Sequence, residues 1–176
     1  IASRGCPFKC TYCFNDGMSK SYEGQKYVRR RSVDNVIEEI KICKEKYDLK
    51  IAIFEDDTFN LSRKWLKEFC EKFSKLGIKL LPIGVRAELI DEEQIIWLKN
   101  ANCVSLVFGL ESGNEKIRRE VLFRNITDEQ MIECSRLLRK HGIRYATENI
   151  LAIPTSTIED DMESLALNIK CKPLYG

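Results

Sequence analysis

The chain has 176 residues, 44% of them hydrophobic, enough for one domain with a sizeable core. Lys plus Arg number 29 and Asp plus Glu 27, and this net charge of +2 argues against a protein built to wrap nucleic acid or coat a membrane surface. No apolar run approaches a membrane span and no signal peptide is visible, so the reading is a soluble cytoplasmic enzyme, a piece of a longer protein that begins inside an element at Ile1.

Ile1-Ala2 reads as the end of an apolar strand, followed by Ser3-Arg4-Gly5-Cys6-Pro7-Phe8-Lys9-Cys10-Thr11-Tyr12-Cys13-Phe14. The spacing C-x3-C-x2-C lets three thiolates converge on one centre. The run Arg29-Arg30-Arg31 reads as a solvated face. Ser32 then caps a helix with Val33, Val36, Ile37, Ile40 and Tyr47 on its apolar face. Residues 50–54 form a buried strand, and Ser62 caps a helix carrying Trp65, Leu66, Phe69, Phe73 and Leu76 that Gly77 stops. A strand over residues 80–85 follows, and Asp91 with Gln94 makes a capping box for a helix with Ile95, Ile96 and Leu98 inward. Residues 104–110 form a near-continuously apolar strand, then a short helical segment spans 116–122. Thr127 with Gln130 opens the next helix, which runs to Gly142. Residues 145–153 supply a last strand ended by Pro154, and Thr157 begins a helix with Met162, Leu165 and Leu167.

Strands alternating with helices through short connections predict a parallel sheet with right-handed crossovers. No linker or low-complexity segment interrupts residues 1–176, which read as one domain. The pattern suits an open doubly wound sheet or part of a barrel, although no Gly-x-Gly-x-x-Gly follows the first strand. In either case chemistry gathers at the carboxyl ends of the strands. Those ends carry the cysteine loop, Glu55-Asp56-Asp57-Thr58, Arg86-Ala87-Glu88, Glu111-Ser112-Gly113 and Glu148-Asn149. Carboxylates with an arginine suit a ligand that combines amine, carboxylate and ribose.

Plainer readings stand beside this one. The cysteines could hold zinc, although structural zinc closes with four ligands and no fourth Cys or His lies nearby in sequence. Cys43, Cys70, Cys103, Cys134 and Cys171 read as buried small hydrophobes. His141, the only histidine, precedes Gly142 at a helix end, where it meets the helix dipole.

The segment Cys6-Pro7-Phe8-Lys9-Cys10-Thr11-Tyr12-Cys13 resembles the signature of radical S-adenosylmethionine enzymes, C-x3-C-x-aromatic-C. Glu55-Asp56-Asp57-Thr58-Phe59, Gly109-Leu110-Glu111-Ser112-Gly113 and Ile150-Leu151-Ala152-Ile153-Pro154 resemble later strand motifs of that family, with Ala152 where many relatives carry glycine. The resemblance implies a partial parallel (β/α)6 barrel of TIM-barrel type, with about five β/α units in this chain and the last unit absent. It further implies that Cys6, Cys10 and Cys13 bind a 4Fe-4S cluster whose open iron takes the amine and carboxylate of S-adenosylmethionine. Tyr12 would flank the adenine, Glu55 and Asp56 would receive the amino group, and Glu111 and Ser112 would contact ribose or carboxylate. Arg86, Arg124 and Glu148 are further contacts by strand-end position and approximate match.

The implied reaction is reductive cleavage to methionine and a 5′-deoxyadenosyl radical, which abstracts hydrogen from a small-molecule substrate; a flavodoxin or ferredoxin would supply the electron. The Ser-Arg-Gly-Cys loop and the Glu-Asp-Asp-Thr-Phe strand end are most similar to the branch with a preceding cobalamin-binding domain, which implies methyl transfer or oxidative cyclisation. Radical methylthiotransferases acting on transfer RNA are the nearest alternative enzyme. A non-catalytic zinc or iron-sulfur module is the alternative of another class.

Overall fold

A computed structural model describes residues 1–22 and 24–176. Its elements in chain order are β1 (Ser3–Arg4), α1 (Phe14–Lys20), β2 (Arg29–Arg30), α2 (Val33–Tyr47), β3 (Ile51–Glu55), α3 (Arg63–Phe73), β4 (Lys79–Ile83), α4 (Glu92–Asn100), β5 (Ser105–Glu111), α5 (Glu115–Glu120), α6 (Asp128–Lys140), β6 (Arg144–Asn149) and α7 (Ile158–Cys171). Each long helix starts where its cap demands. Ser32 and Ser62 accept from the backbone N–H groups of Asn35 and Trp65, both at 3.3 Å. Reciprocal boxes form at Asp91/Gln94, Thr127/Gln130 and Thr157/Asp160.

β3 pairs with β4 and β5 with β6, both in parallel. Parallel bridges Leu80–Cys103 and Val85–Phe108 join β4 to β5, with Val104 N–H on the Leu80 carbonyl at 3.0 Å. Strand order therefore follows chain order from β3 to β6, without the reversal that marks a doubly wound sheet. The helices follow the same order: α2 packs on α3, α3 on α4, α4 on α6 and α6 on α7. The architecture is an α/β fold with parallel sheets, and no closed barrel forms among the described residues. Tyr175 adds a parallel bridge to Ala146 on the outer edge of β6.

One core runs between strands and helices. Its densest part is aromatic: Trp65 stacks on Phe69 at 4.9 Å between centroids, while Phe59 meets Phe69 edge-on at 5.6 Å. Each ring so buried contributes ~1.5–3 kcal/mol, which explains why α3 lies along the sheet with this face inward. Cys70, Cys103, Cys134 and Cys171 are buried as expected, and Cys43 is half-buried. Burial pushes the Cys103 thiol up to about 12, which keeps it neutral and unreactive.

Several elements depart from the sequence reading. The first strand is not an apolar one at Ile1-Ala2; β1 pairs antiparallel with β2 instead. The Ala2 N–H bonds to the Asp56 carboxylate, at 3.0 and 3.1 Å to its two oxygens. Arg30 is no solvated residue, because its guanidinium lies 4.7 Å from the Trp65 ring centroid and donates to the carbonyls of Thr58 and Phe59. β6 ends at Asn149, short of the expected residue 153, and Ile150 N–H makes its last ladder bond, to the Glu111 carbonyl at 2.8 Å. Met162 and Leu165 are exposed; α7 buries Ser164, Leu167 and Cys171 instead, with the Ser164 hydroxyl accepting from Gly113 N–H at 2.8 Å. Tyr47 and Ile96 also face solvent.

Candidate active site

Cys6, Cys10 and Cys13 line one cavity of about 200 Å³ at the carboxyl ends of the strands, together with Tyr12, Arg86, Glu111, Arg124 and Glu148. Larger cavities, of about 780 Å³ along α7 and about 330 Å³ beside Arg29, Arg30 and Arg31, contain none of these three cysteines. The smaller cavity is the candidate reactive site because it gathers thiols and charges, which volume alone does not supply.

Two consecutive carboxylates hold the cysteine loop. Asp56, buried at the end of β3, accepts from Ala2 N–H and from the Ser3 hydroxyl. Asp57 accepts from Gly5 N–H at 2.9 Å and from the Asn15 amide at 2.7 Å, and Tyr27 donates to that same amide's oxygen at 2.5 Å. Gly5 is required at its position, since its φ is +79° and a Cβ would lie 2.7 Å from the Tyr27 carbonyl oxygen. The loop continues into α1, with Cys13 at its N-cap.

Each sulfur has its own polar partner. Thr58 Oγ1 lies 3.2 Å from Cys6 Sγ, Arg86 Nη1 donates to Cys10 Sγ at 3.7 Å, and Asn15 Nδ2 donates to Cys13 Sγ at 3.4 Å. Cys10 is buried, yet it stands outside the hydrophobic core. Among the described residues no three His, Cys, Asp or Glu side chains converge closely enough to hold a single metal ion. Three thiols with separate hydrogen-bond partners on a common cavity fit a multi-iron cluster, whose sulfur ligands are spread around it and tuned by such contacts.

A second group shares the cavity with the cysteines. Tyr12 donates to Glu111 Oε1 at 2.9 Å, and Arg124 Nη1 donates to that oxygen and to the Tyr12 hydroxyl, both at 3.2 Å. Arg124 Nη2 completes the anchor on the Gly109 carbonyl at 2.8 Å. The Tyr12 ring is 42% exposed, but its hydroxyl end is turned inward, and burial with the neighbouring Glu111 pushes that hydroxyl's pKa up. Burial likewise raises the Glu111 carboxyl, against the lowering effect of Arg124.

The sequence-derived residues therefore divide. Cys6, Cys10, Cys13, Tyr12, Arg86, Glu111, Arg124 and Glu148 share the cavity. Glu55 is exposed and outside its lining, Asp56 is engaged with the cysteine loop, and buried Ser112 accepts from Asn114 N–H and, through its carbonyl, from Arg118. Ala152 sits at φ 54°, a left-handed backbone that glycine adopts without strain. Asn15 and Phe8 line the site too and were not read from the sequence; the only signal was their place beside the cysteines.

A sequence model of the Radical SAM superfamily matches residues 1–167. The chain belongs to the radical SAM superfamily. An uncharacterised methyltransferase of Pyrococcus horikoshii is 30% identical over 161 residues, covering 91% of this chain and 34% of the relative. An anaerobic magnesium-protoporphyrin IX monomethyl ester cyclase of Rubrivivax gelatinosus is 26% identical over 160 residues, covering 89% and 28%. In fold, this radical SAM domain is similar to the methyltransferase TsrM of Kitasatospora setae, solved with cobalamin and a [4Fe-4S] cluster; the TM-score is 0.83 at 18% identity, covering 98% of this chain and 32% of that one. The chain thus spans about a third of the length of the proteins it matches. No helix among the described residues is long and apolar enough to cross a membrane.

Proposed function

We propose that Cys6, Cys10 and Cys13 hold a 4Fe-4S cluster and that the cavity beside them takes S-adenosylmethionine. The observation that carries this reading is the three sulfurs, each with its own polar partner, facing the same small cavity as the Tyr12–Glu111–Arg124 group. Bound there, cluster and S-adenosylmethionine supply reductive cleavage of the sulfonium to methionine and a 5′-deoxyadenosyl radical, which abstracts hydrogen from a substrate.

The chain's own residues bind, orient and exclude water. Tyr12 flanks the adenine with its exposed ring face, while Glu111, kept in place by Arg124, meets the ribose hydroxyls. Glu148, exposed on the cavity rim, is the carboxylate free to take the amino group. Asp56 acts at one remove, fixing the loop that carries the thiols, whereas Glu55 lies outside the cavity. The buried apolar Val85 lines the cavity and limits water.

The parallel strands in chain order and the likeness to TsrM support a partial (β/α)6 barrel. That likeness and the methyltransferase and cyclase relatives also support a cobalamin-assisted methyl transfer or cyclisation, with the cobalamin held by a segment outside residues 1–176. A small-molecule substrate and a flavodoxin- or ferredoxin-type electron donor belong to this reading.

The test is anaerobic reconstitution of the full chain with iron and sulfide. The native chain is expected to take up close to four irons and show the broad brown absorption of a 4Fe-4S cluster, whereas Cys10→Ala loses the cluster and keeps its far-ultraviolet circular dichroism. Unchanged iron uptake by Cys10→Ala would refute the assignment.

A further inference from the structure

Arg86 is a tightly constrained charged side chain beside the sulfurs. Its backbone is pinned twice by Asn60, which accepts from Arg86 N–H and donates to the Arg86 carbonyl, each at 2.9 Å. Its guanidinium carbon lies 3.7 Å from the Phe8 ring centroid, on the same loop as Cys10. Arg86 Nε donates to Glu88 Oε1 at 2.6 Å, and Nη2 meets the same oxygen. Side-chain exposure is only 9% for Arg86 and 10% for Glu88. With one ring face covered and two nitrogens on Glu88, the remaining direction points Nη1 at Cys10 Sγ. A guanidinium has five N–H donors in a fixed fork, so this arrangement aims the cation at sulfur and leaves little of it for a ligand.

Glu88 adds the second observation. Its Oε2 is buried with no hydrogen-bond partner, so its negative charge is neither shared out to other donors nor exposed to water. A cation at one sulfur and a carboxylate directly behind it form an ordered charge pair in a low-dielectric setting.

We infer that Arg86 is a positioning residue for Cys10 that raises the reduction potential of the centre held there, and that Glu88 limits this effect by partly neutralising the guanidinium. The inference rests on the cluster assignment proposed above. Reduction adds one electron and makes the centre more negative, so a hydrogen-bonded cation at a ligand sulfur favours the reduced form and a nearby carboxylate disfavours it. The two substitutions Arg86→Gln and Glu88→Gln should thus act in opposite directions, which mere loosening of the loop would not produce.

The experiment is a redox titration of the reconstituted full chain with dithionite, following the electron paramagnetic resonance signal of the reduced cluster. At a fixed poise, Arg86→Gln is expected to lower the reduced-to-oxidised ratio about tenfold, about 59 mV for one electron, and Glu88→Gln to raise it. Arg86→Lys, which keeps the charge, should restore part of the loss. Normal cluster loading with unchanged midpoints, or shifts of the same sign in both variants, would overturn the inference. Should Arg86→Gln fail to load iron, the Glu88→Gln midpoint decides: an upward shift supports the assignment and no shift overturns it. A native chain that binds no cluster would instead refute the reading on which the inference rests.

Discussion

Glu111 and Arg124 form a buried ion pair, Oε1 to Nη1 at 3.2 Å, between the end of β5 and the loop that leads into α6. Their side chains are only 9% and 6% exposed, and the same carboxylate oxygen accepts from Tyr12 on the cysteine loop. The pair therefore ties the thiol side of the cavity to the opposite strand end. Removing one partner leaves a buried charge without compensation, a loss of about 3–5 kcal/mol. Arg124→Met should lower the stability of the full chain by that amount in urea unfolding, while Arg124→Lys should lower it less. A change below ~0.5 kcal/mol for Arg124→Met, the size typical of surface positions, would show that the pair does not hold the two sides together.

Gly84 lies between β4 and Arg86 at φ +73°, and a Cβ there would lie 2.1 Å from the Asp56 carbonyl oxygen. That neighbour is backbone and cannot swing aside. Gly77 has a similar φ of +67° but open space around it. Left-handed backbone alone costs an alanine ~1–2 kcal/mol, so Gly77→Ala should show that loss and Gly84→Ala clearly more. Equal unfolding midpoints for the two variants would contradict the close approach of β4 to the end of β3.

Glu92 in the first turn of α4 accepts from Lys140 at 2.6 Å and lies 2.8 Å from His141 Nε2 at the end of α6. Those two partners, Lys140 first, hold its carboxyl below the usual range, at about 2. An acid whose folded pKa lies below its unfolded value of about 4.3 adds stability that is complete above that value and fades as pH falls toward the folded one. Carbon NMR titration should find Glu92 below the usual carboxylate range, and Lys140→Met should bring it up. High salt should do the same, since the group is in contact with water. A Glu92 titration unchanged by Lys140→Met would contradict the pairing.

Periodicity and caps make much of the fold legible in the sequence. Ser32, Ser62, Asp91 and Thr127 start their helices as their side chains predict, because a cap is a local hydrogen bond. Non-local packing is not legible in the same way. Nothing in the sequence separates Met162 and Leu165, which face solvent, from Leu167, which is buried. α1 escapes notice because it is short, contains Gly17 and buries only Asn15. Arg118 is fully buried against Asp128 and the carbonyls of Ser112 and Ile126, contacts that its immediate sequence does not announce.

The site is legible in its reactive atoms and less so in its supports. Cysteine spacing singles out Cys6, Cys10 and Cys13, and all three line one cavity. Consecutive acids, however, point in different directions from a strand end, so Glu55 lies outside the cavity and Asp56 turns back to Ala2 while Asp57 lines it. Which carboxylate serves as scaffold depends on those directions and on where the loop returns.

The most direct test is to supply the reconstituted full chain with S-adenosylmethionine and a strong reductant under anaerobic conditions and to quantify the nucleoside products. The account predicts 5′-deoxyadenosine and methionine in equal amounts, absent in Cys10→Ala. A fully cluster-loaded native chain that releases no 5′-deoxyadenosine would contradict it.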